Sequence, residues 1–204
     1  MNSAALLDVQ DFCCERDGRV LFDGLGLTLL AGQCLELRGP NGSGKSTLLR
    51  AIAGLFPDYG GTIEARESLY LGHRPGISAL LTAEENLRWY QTLRPGRSSV
   101  SAALTEVGMA GYERVACQHM SAGQQRRVGL ARLVLCRAPL WLLDEPLTAL
   151  DSAGSELVRR LIADQLEQGG AVLCATHQPL RLRGSQVLSL GAADAEFDRE
   201  ERQP

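Results

Sequence analysis

Lysine is all but absent from this sequence: among 21 lysines and arginines there is one lysine, Lys45. Arginine fills every other basic role, so the lone lysine marks a place where a compact ammonium on a flexible stem is needed rather than a planar guanidinium. A basic block able to track a phosphate backbone is also missing, and with a formal charge of −3 nucleic acid is not the expected partner. Six cysteines occur, at Cys13, Cys14, Cys34, Cys117, Cys136 and Cys174, with no CxxC pair and no zinc spacing. That pattern argues against a disulfide framework or a metal ribbon and leaves buried thiols in a reducing compartment as the expectation. No apolar run approaches the ~18 residues of a membrane span, and the amino terminus has no basic-then-apolar leader pattern, so any membrane role is expected to come through another chain. Repeats and low-complexity segments are lacking too. A hydrophobic content of 45% over 204 residues suits one domain, or one domain with an inserted lobe.

What is present gathers around that lysine. Gly39-Pro40-Asn41-Gly42-Ser43-Gly44-Lys45-Ser46, with Thr47 next, fits the GxxxxGK[ST] pattern. In such a loop the glycines let the backbone turn its N–H groups inward, the lysine reaches β- and γ-phosphates and the serine hydroxyl ligates magnesium. The setting is the required one. A strand is predicted over 32–38 from Cys34, Leu35 and Leu37, and Leu48, Leu49, Ile52 and Leu55 follow at helical spacing, with Gly54 as a stop. A helix opening at the loop adds its free N–H groups and dipole to the anion site. The phosphates of a nucleotide, with Mg2+, are the expected ligands. A guanine nucleotide is disfavoured, because the NKxD motif that reads guanine would need a second lysine.

Other segments place further polar groups. Apolar stretches broken by Asp17-Gly18, Asp23-Gly24 and Ala31-Gly32 read as amino-terminal β-hairpins, and short strands are predicted over 62–64 and 69–72. Thr82 with Glu85 forms a capping box before a helix, and a second helix over 99–107 ends at Gly108, with Pro95-Gly96 between them. The expected division is a core over 1–77 and 120–190, a helical lobe over 78–119 and a frayed polar tail over 191–204. Helices over 122–137 and 152–168 alternate with strands over 140–143 and 171–176, and such continuous apolar strands imply a parallel sheet covered on both faces.

Leu140-Trp141-Leu142-Leu143 delivers Asp144 and Glu145 at a strand's carboxyl end, where open α/β sheets bind ligands. Asp144 suits a magnesium sphere, and Glu145 is then free to orient or deprotonate an attacking water. Alone, an acidic turn after a buried strand would read the same way. Ser121 is an N-cap candidate whose small successors Ala122 and Gly123, followed by Gln124, leave the helix start open to an anion. A plain capped helix with solvated arginines is the alternative. His177 follows the strand over 171–176, again at a carboxyl end.

Taken in order, these segments resemble the nucleotide-binding subunits of ABC transporters, over nearly the whole chain up to His177. Residues 39–46 are similar to Walker A, 120–124 to the LSGGQ signature with Ala122 in place of a glycine, and 140–145 to Walker B with its catalytic glutamate. Thr148-Ala149-Leu150-Asp151 resembles the D-loop, and His177 the switch histidine. The resemblance implies an α/β P-loop NTPase of the ABC ATPase type, with a mixed core sheet, an amino-terminal antiparallel β-subdomain and an inserted helical lobe. It implies catalytic roles for Lys45, Glu145 and His177, and a head-to-tail dimer in which ATP lies between the phosphate loop of one copy and Ser121, Gly123, Gln124 and Asp151 of the other.

Two positions depart from the family pattern. His73, in Leu71-Gly72-His73-Arg74-Pro75-Gly76, stands where a glutamine is usual; it lacks the oxygen that magnesium prefers and is expected instead to hydrogen-bond the γ-phosphate or a water. The aromatic that stacks on adenine is missing near Glu15 to Asp17, which leaves Arg16 as the expected stacking group and Phe12 as a weaker one. Segments 71–77, 120–133 and 140–151 narrow the resemblance to the ATP-binding subunits of bacterial cytochrome c maturation, the heme exporter branch. That branch implies integral membrane permease partners and a peripheral place on the cytoplasmic face of the inner membrane. No direct heme site is expected; His119 near Cys117 reads as lobe packing. The ATPase of a different transporter and, further off, a soluble ATP-gated clamp remain as alternatives.

Overall fold

The computed structural model describes residues 5–93, 98–136, 138–191 and 197–198. The chain divides into two compact units: one takes Met1–Tyr70, Ala138–Glu145 and Ile162–Pro204, the other Leu71–Arg137 and Pro146–Leu161. The second unit is larger than the 78–119 segment.

In the first unit, β1 (Ala5–Arg16) and β2 (Arg19–Leu30) form a long antiparallel hairpin around Asp17-Gly18, both of which have positive φ. β4 (Gly60–Ala65) pairs with the other edge of β1 to complete a three-stranded sheet. A second sheet of six strands has the order β5-β6-β7-β3-β8-β9, comprising β3 (Cys34–Arg38), β5 (Ser68–Leu71), β6 (Leu140–Asp144), β7 (Ala171–Ala175), β8 (Gln186–Ser189) and β9 (Phe197–Asp198). Every residue of β6 and β7 is buried, as parallel strands covered on both faces must be. The core joins Leu7, Phe12 and Leu29 of the antiparallel sheet to Leu35, Leu37, Leu142 and Leu173 of the parallel one, with Leu48 and Leu49 of α1 (Lys45–Ile52). That helix stops in a Schellman motif: Leu55 N–H donates to the Arg50 carbonyl and Gly54 N–H to that of Ala51, with Gly54 at φ 71°.

The second unit holds α2 (Ala83–Leu93), α3 (Val100–Glu106) and α4 (Ala122–Leu135). The predicted capping box starts α2: Glu85 N–H donates to Thr82 Oγ1 at 3.2 Å while Thr82 N–H donates to Glu85 Oε2 at 2.8 Å. Ser99 caps α3 through Ala102 N–H at 3.1 Å. Asn86 ties α2 to the preceding loop by accepting from Ser78 N–H at 2.7 Å and donating to the Ser78 carbonyl at 3.0 Å. Helix α5 (Ser152–Glu167) begins in this unit and ends in the first.

Some expectations are corrected. Asp23-Gly24 is not a turn: β2 runs through it, and the two residues of β2 between Phe22 and Leu25 face the single β1 residue Cys13, a bulge that Gly24 absorbs at φ 75°. The polar tail is not simply frayed, since Phe197 pairs with Leu188. The four-residue strand β8 is an element that the sequence expectations do not include. Pro95-Gly96 and Arg137 lie outside the described residues.

Candidate functional site

Strand register builds the site. Leu37 of β3 and Asp144 of β6 both pair with Ala175 of β7, so three parallel strands end in one row. Just beyond that row the chain continues as the glycine loop after β3, as Glu145 after β6 and as His177 after β7. This is the crevice outside the carboxyl ends of parallel strands where such sheets take ligands.

The loop is shaped by its neighbours. A Cβ on Gly44 would run into the Phe22 ring, and Gly44 sits at φ 94°, so only glycine can start α1 there. Asn41 and Gly42 are exposed at the loop's tip, while Ser43, Lys45 and Thr47 are buried. Lys45 folds back over the loop, its Nζ donating to the Gly39 carbonyl at 2.7 Å and the Pro40 carbonyl at 2.9 Å. The buried Ser43 hydroxyl has no partner among the described residues. A cradle with an unspent donor and a cation at its mouth suits an oxyanion.

Ser46, one residue into α1, donates its hydroxyl to Asp144 Oδ1 at 3.0 Å across 98 residues of sequence. The other oxygen, Oδ2, accepts from the Tyr70 hydroxyl at 3.3 Å. Arg50, one helical turn beyond Ser46, lies near enough to Tyr70 for their interaction to raise the arginine pKa, and burial is the main cause pushing the Tyr70 hydroxyl up. Neither Tyr70 nor Arg50 belongs to any local motif. The one sequence cue was that Arg50 stands four residues after Ser46, on the same helix face.

Asp144 and Glu145 are adjacent, and in a continuing strand their side chains would point to opposite faces. The chain avoids this by putting Glu145 at φ 51°, a conformation costly for a residue with a Cβ, while its N–H still bonds the Ala175 carbonyl at 2.8 Å. The carboxylate then meets His177: Oε1 lies 3.4 Å from Nε2 and Oε2 accepts from the His177 N–H at 3.4 Å. Glu145 is mostly buried and His177 about half exposed, so the imidazole is the more open member of the pair and the carboxylate the more enclosed one.

Ser121, Gly123, Gln124, Asp151 and His73 belong to the second unit. Ser121 caps α4 in a reciprocal box, accepting from Gln124 N–H at 3.2 Å while its own N–H donates to Gln124 Oε1 at 2.9 Å. Its hydroxyl is an acceptor in that bond and keeps its proton for another partner. A Cβ on Gly123 would be tight, standing 3.1 Å from the Ala149 carbonyl oxygen. Asp151 starts α5, its Oδ1 accepting from Gly154 N–H at 2.7 Å and Arg127 Nη2 at 3.2 Å; the Gly154 bond is the main reason its carboxyl pKa is lowered. The His73 side chain is exposed, and its carbonyl accepts from the buried Arg126 at 3.2 Å.

At the hairpin tip, Arg16 is half exposed and lies 3.5 Å from Asp17. Phe12 is corrected as a stacking candidate: it is wholly buried between Phe22 and Tyr59. Beside it lies an open pocket of about 450 Å³ lined by Cys14, Val20, Phe22 and Tyr59. Cys117 and His119 stand in a short 3-10 turn, where Asn86 Nδ2 donates to the Cys117 sulfur at 3.4 Å. Among the described residues no group of three His, Cys, Asp or Glu side chains sits together, and no helix is long and apolar enough to cross a membrane.

The donor set fits magnesium: a hydroxyl and a carboxylate, both hard oxygens, held 3.0 Å apart beside the phosphate loop.

The family model described as ABC transporter matches residues 22–148. The curated cytochrome c biogenesis ATP-binding export protein CcmA of Escherichia coli K12 is 45% identical over 196 residues, spanning 89% of this chain and 94% of that protein. The protein of the same name from Shigella dysenteriae serotype 1 matches equally, at 45% over the same length. Among solved structures, a dimeric ATP-binding cassette in a post-hydrolysis state with ADP and phosphate superposes with a TM-score of 0.82 at 20% identity, covering 97% of this chain and all of that one. A metal-chelate type ABC transporter in an inward-facing conformation gives 0.81 at 24% identity, covering 96% of this chain and 84% of that one. These two likenesses concern the fold.

Proposed function

The chain belongs to the ABC transporter family as one of its ATP-binding subunits, on the branch of the cytochrome c biogenesis export proteins, and from that premise we propose that it hydrolyses ATP to power a membrane complex for c-type cytochrome assembly. The observation that carries this reading is the 3.0 Å bond from Ser46 to Asp144 at the mouth of the glycine loop, in a chain 45% identical to the curated export protein.

Each residue then has a task. The N–H groups of Gly39, Pro40-Asn41-Gly42, Ser43 and Gly44 surround the β-phosphate, except at the proline, which has no N–H. Lys45 leaves the two loop carbonyls for the phosphate oxygens, and Thr47 continues the helix start toward the α-phosphate. Ser46 and Asp144 hold magnesium, which supplies charge neutralisation on the phosphates. Glu145 orients the attacking water, and His177, already against its carboxylate, spans from it to the γ-phosphate. His73 bonds a water or phosphate oxygen in place of the usual glutamine, and the Arg16 guanidinium stacks on adenine. Almost all of this is positioning and electrostatic stabilisation, the usual content of phosphoryl-transfer catalysis.

Ser121, Gly123, Gln124 and Asp151 serve the nucleotide bound by a second copy in a head-to-tail dimer. The spare Ser121 hydroxyl proton and the exposed α4 start support that assignment. Integral membrane permease subunits of the cytochrome c maturation system are the further partners, and the place of action is the cytoplasmic face of the bacterial inner membrane. The decisive experiment is deletion of the gene followed by heme staining of mature c-type cytochromes, with wild-type and Glu145→Gln copies returned. Recovery with wild type alone is expected; normal cytochromes in the deletion strain would assign the ATPase to another transporter.

A further inference from the structure

We propose that Tyr70 is a positioning residue for the metal site, fixing the Asp144 carboxylate by its second oxygen so that the first always faces Ser46. The inference rests on the nucleotide-site reading above and goes beyond it. Asp144 is only 2% exposed, and its two oxygens take bonds of 3.0 Å from Ser46 and 3.3 Å from Tyr70. A carboxylate on a single χ2 axis rotates easily unless both oxygens are held, and a phenol that donates to one of them sets the plane in which the other points.

The helix adds a reason to read this as a device. Ser46 and Arg50 are one turn apart on α1 and share a face, so α1 bonds the carboxylate directly at Ser46 and sets the Arg50 charge near the Tyr70 hydroxyl that holds the other oxygen. Arginine has no acceptor, so Arg50 cannot compete for the phenol proton, which Tyr70 gives to Asp144 Oδ2. When Ser46 turns its oxygen to a metal and gives up its bond to Oδ1, the bond to Oδ2 persists. The carboxylate then keeps the Tyr70 restraint at the moment the Ser46 bond is released. Outer partners of this kind typically govern metal affinity by about 10-fold or more.

The test uses the full-length chain with Mn2+ as a paramagnetic probe, read by EPR, and calorimetric binding of the non-hydrolysable analogue AMPPNP with Mg2+ and in EDTA. Tyr70→Phe is expected to weaken Mn2+ binding in the nucleotide complex by about 10-fold. It should also raise the Mg2+ concentration that half-saturates turnover more than it lowers turnover at saturating Mg2+, with metal-free analogue affinity and melting temperature unchanged. Arg50→Gln should act in the same direction and add less than about 2-fold in the Tyr70→Phe background, because contacts in series are not additive. Unchanged metal affinity in Tyr70→Phe, or equal losses with and without metal, overturns the inference while wild-type binding leaves the site reading standing. A wild-type protein whose nucleotide affinity ignores Mg2+ brings down both.

Discussion

In the first unit Ser46 finds its partner Asp144 across 98 residues, whereas in the second Ser121 and Gln124 find each other three residues apart. Both pairs are polar groups at a helix start beside a proposed phosphate position. They differ in what maintains them. The first exists only when the parallel sheet has brought α1 and the end of β6 together, while the second is an ordinary capping box that its own segment specifies. Substitutions in the first unit should therefore damage chemistry more than folding, and substitutions at the second helix start should do both unless the cap is preserved.

The largest effect is expected at the lysine. Lys45→Ala removes the cation that the loop carbonyls hold ready, and losing one such stabilising group costs about 3 to 4 kcal/mol in the transition state, roughly 100- to 1,000-fold in turnover. Phosphate release checks the rate, and the melting temperature should move little. Next comes Glu145→Gln, which keeps shape and hydrogen bonding but removes the charge that orients water. ATP binding should survive while hydrolysis falls by about 100-fold or more. The same variant sharpens the comparison between units, because unhydrolysed ATP should hold two copies together in light scattering. A strictly monomeric Glu145→Gln protein, saturated with ATP and supplied with its membrane partners, would sink the shared site.

Ser121 offers an intermediate effect that separates its two tasks. Ser121→Ala loses the cap, about 1 kcal/mol, and should lower the melting temperature by roughly 2–4 °C for a chain of this size. Ser121→Asp restores a good cap yet places a carboxylate where a phosphate is proposed to lie. Stability should return while turnover falls further, by about 10-fold or more, since like charges at close range cost more than a missing hydrogen bond. Equal activity in the alanine and aspartate variants would reduce Ser121 to a cap and nothing more.

The same contrast explains what could be read from the sequence. The glycine loop, the Ser121 and Thr82 boxes, the Gly54 stop and the buried strands ending at Asp144 and Ala175 are local patterns, each fixed within about one or two helical turns or one strand. Tyr70 was invisible because nothing within its own strand says that its hydroxyl will meet Asp144, 74 residues away. Glu145's positive φ was likewise hidden, although Pro146 marked the strand's end. Asp23-Gly24 misled for the opposite reason: the pair is a strong turn signal, yet cross-strand packing of Phe22 and Leu25 on either side outweighed it and kept β2 continuous. Local rules set the elements, and register set the site.

The smallest expected effect lies at the other local box, and its sign can be worked out. Glu85 has its carboxyl pKa lowered, chiefly by the Thr82 N–H and then by the Thr82 hydroxyl. A carboxyl group with a folded pKa below its unfolded value contributes stability above the unfolded value and loses it as pH falls through the folded one. The gap between wild type and Glu85→Gln in melting temperature should therefore be widest near neutrality. It should close as pH drops below the ordinary value of 4.5, because protonated Glu85 then accepts no better than glutamine. Ser121 has glutamine as its box partner, so Gln124→Ala should give a melting difference that stays flat over the same range. A parallel pH trend in both boxes would mean that the loss reflects general acid weakening of the fold rather than the Glu85 cap.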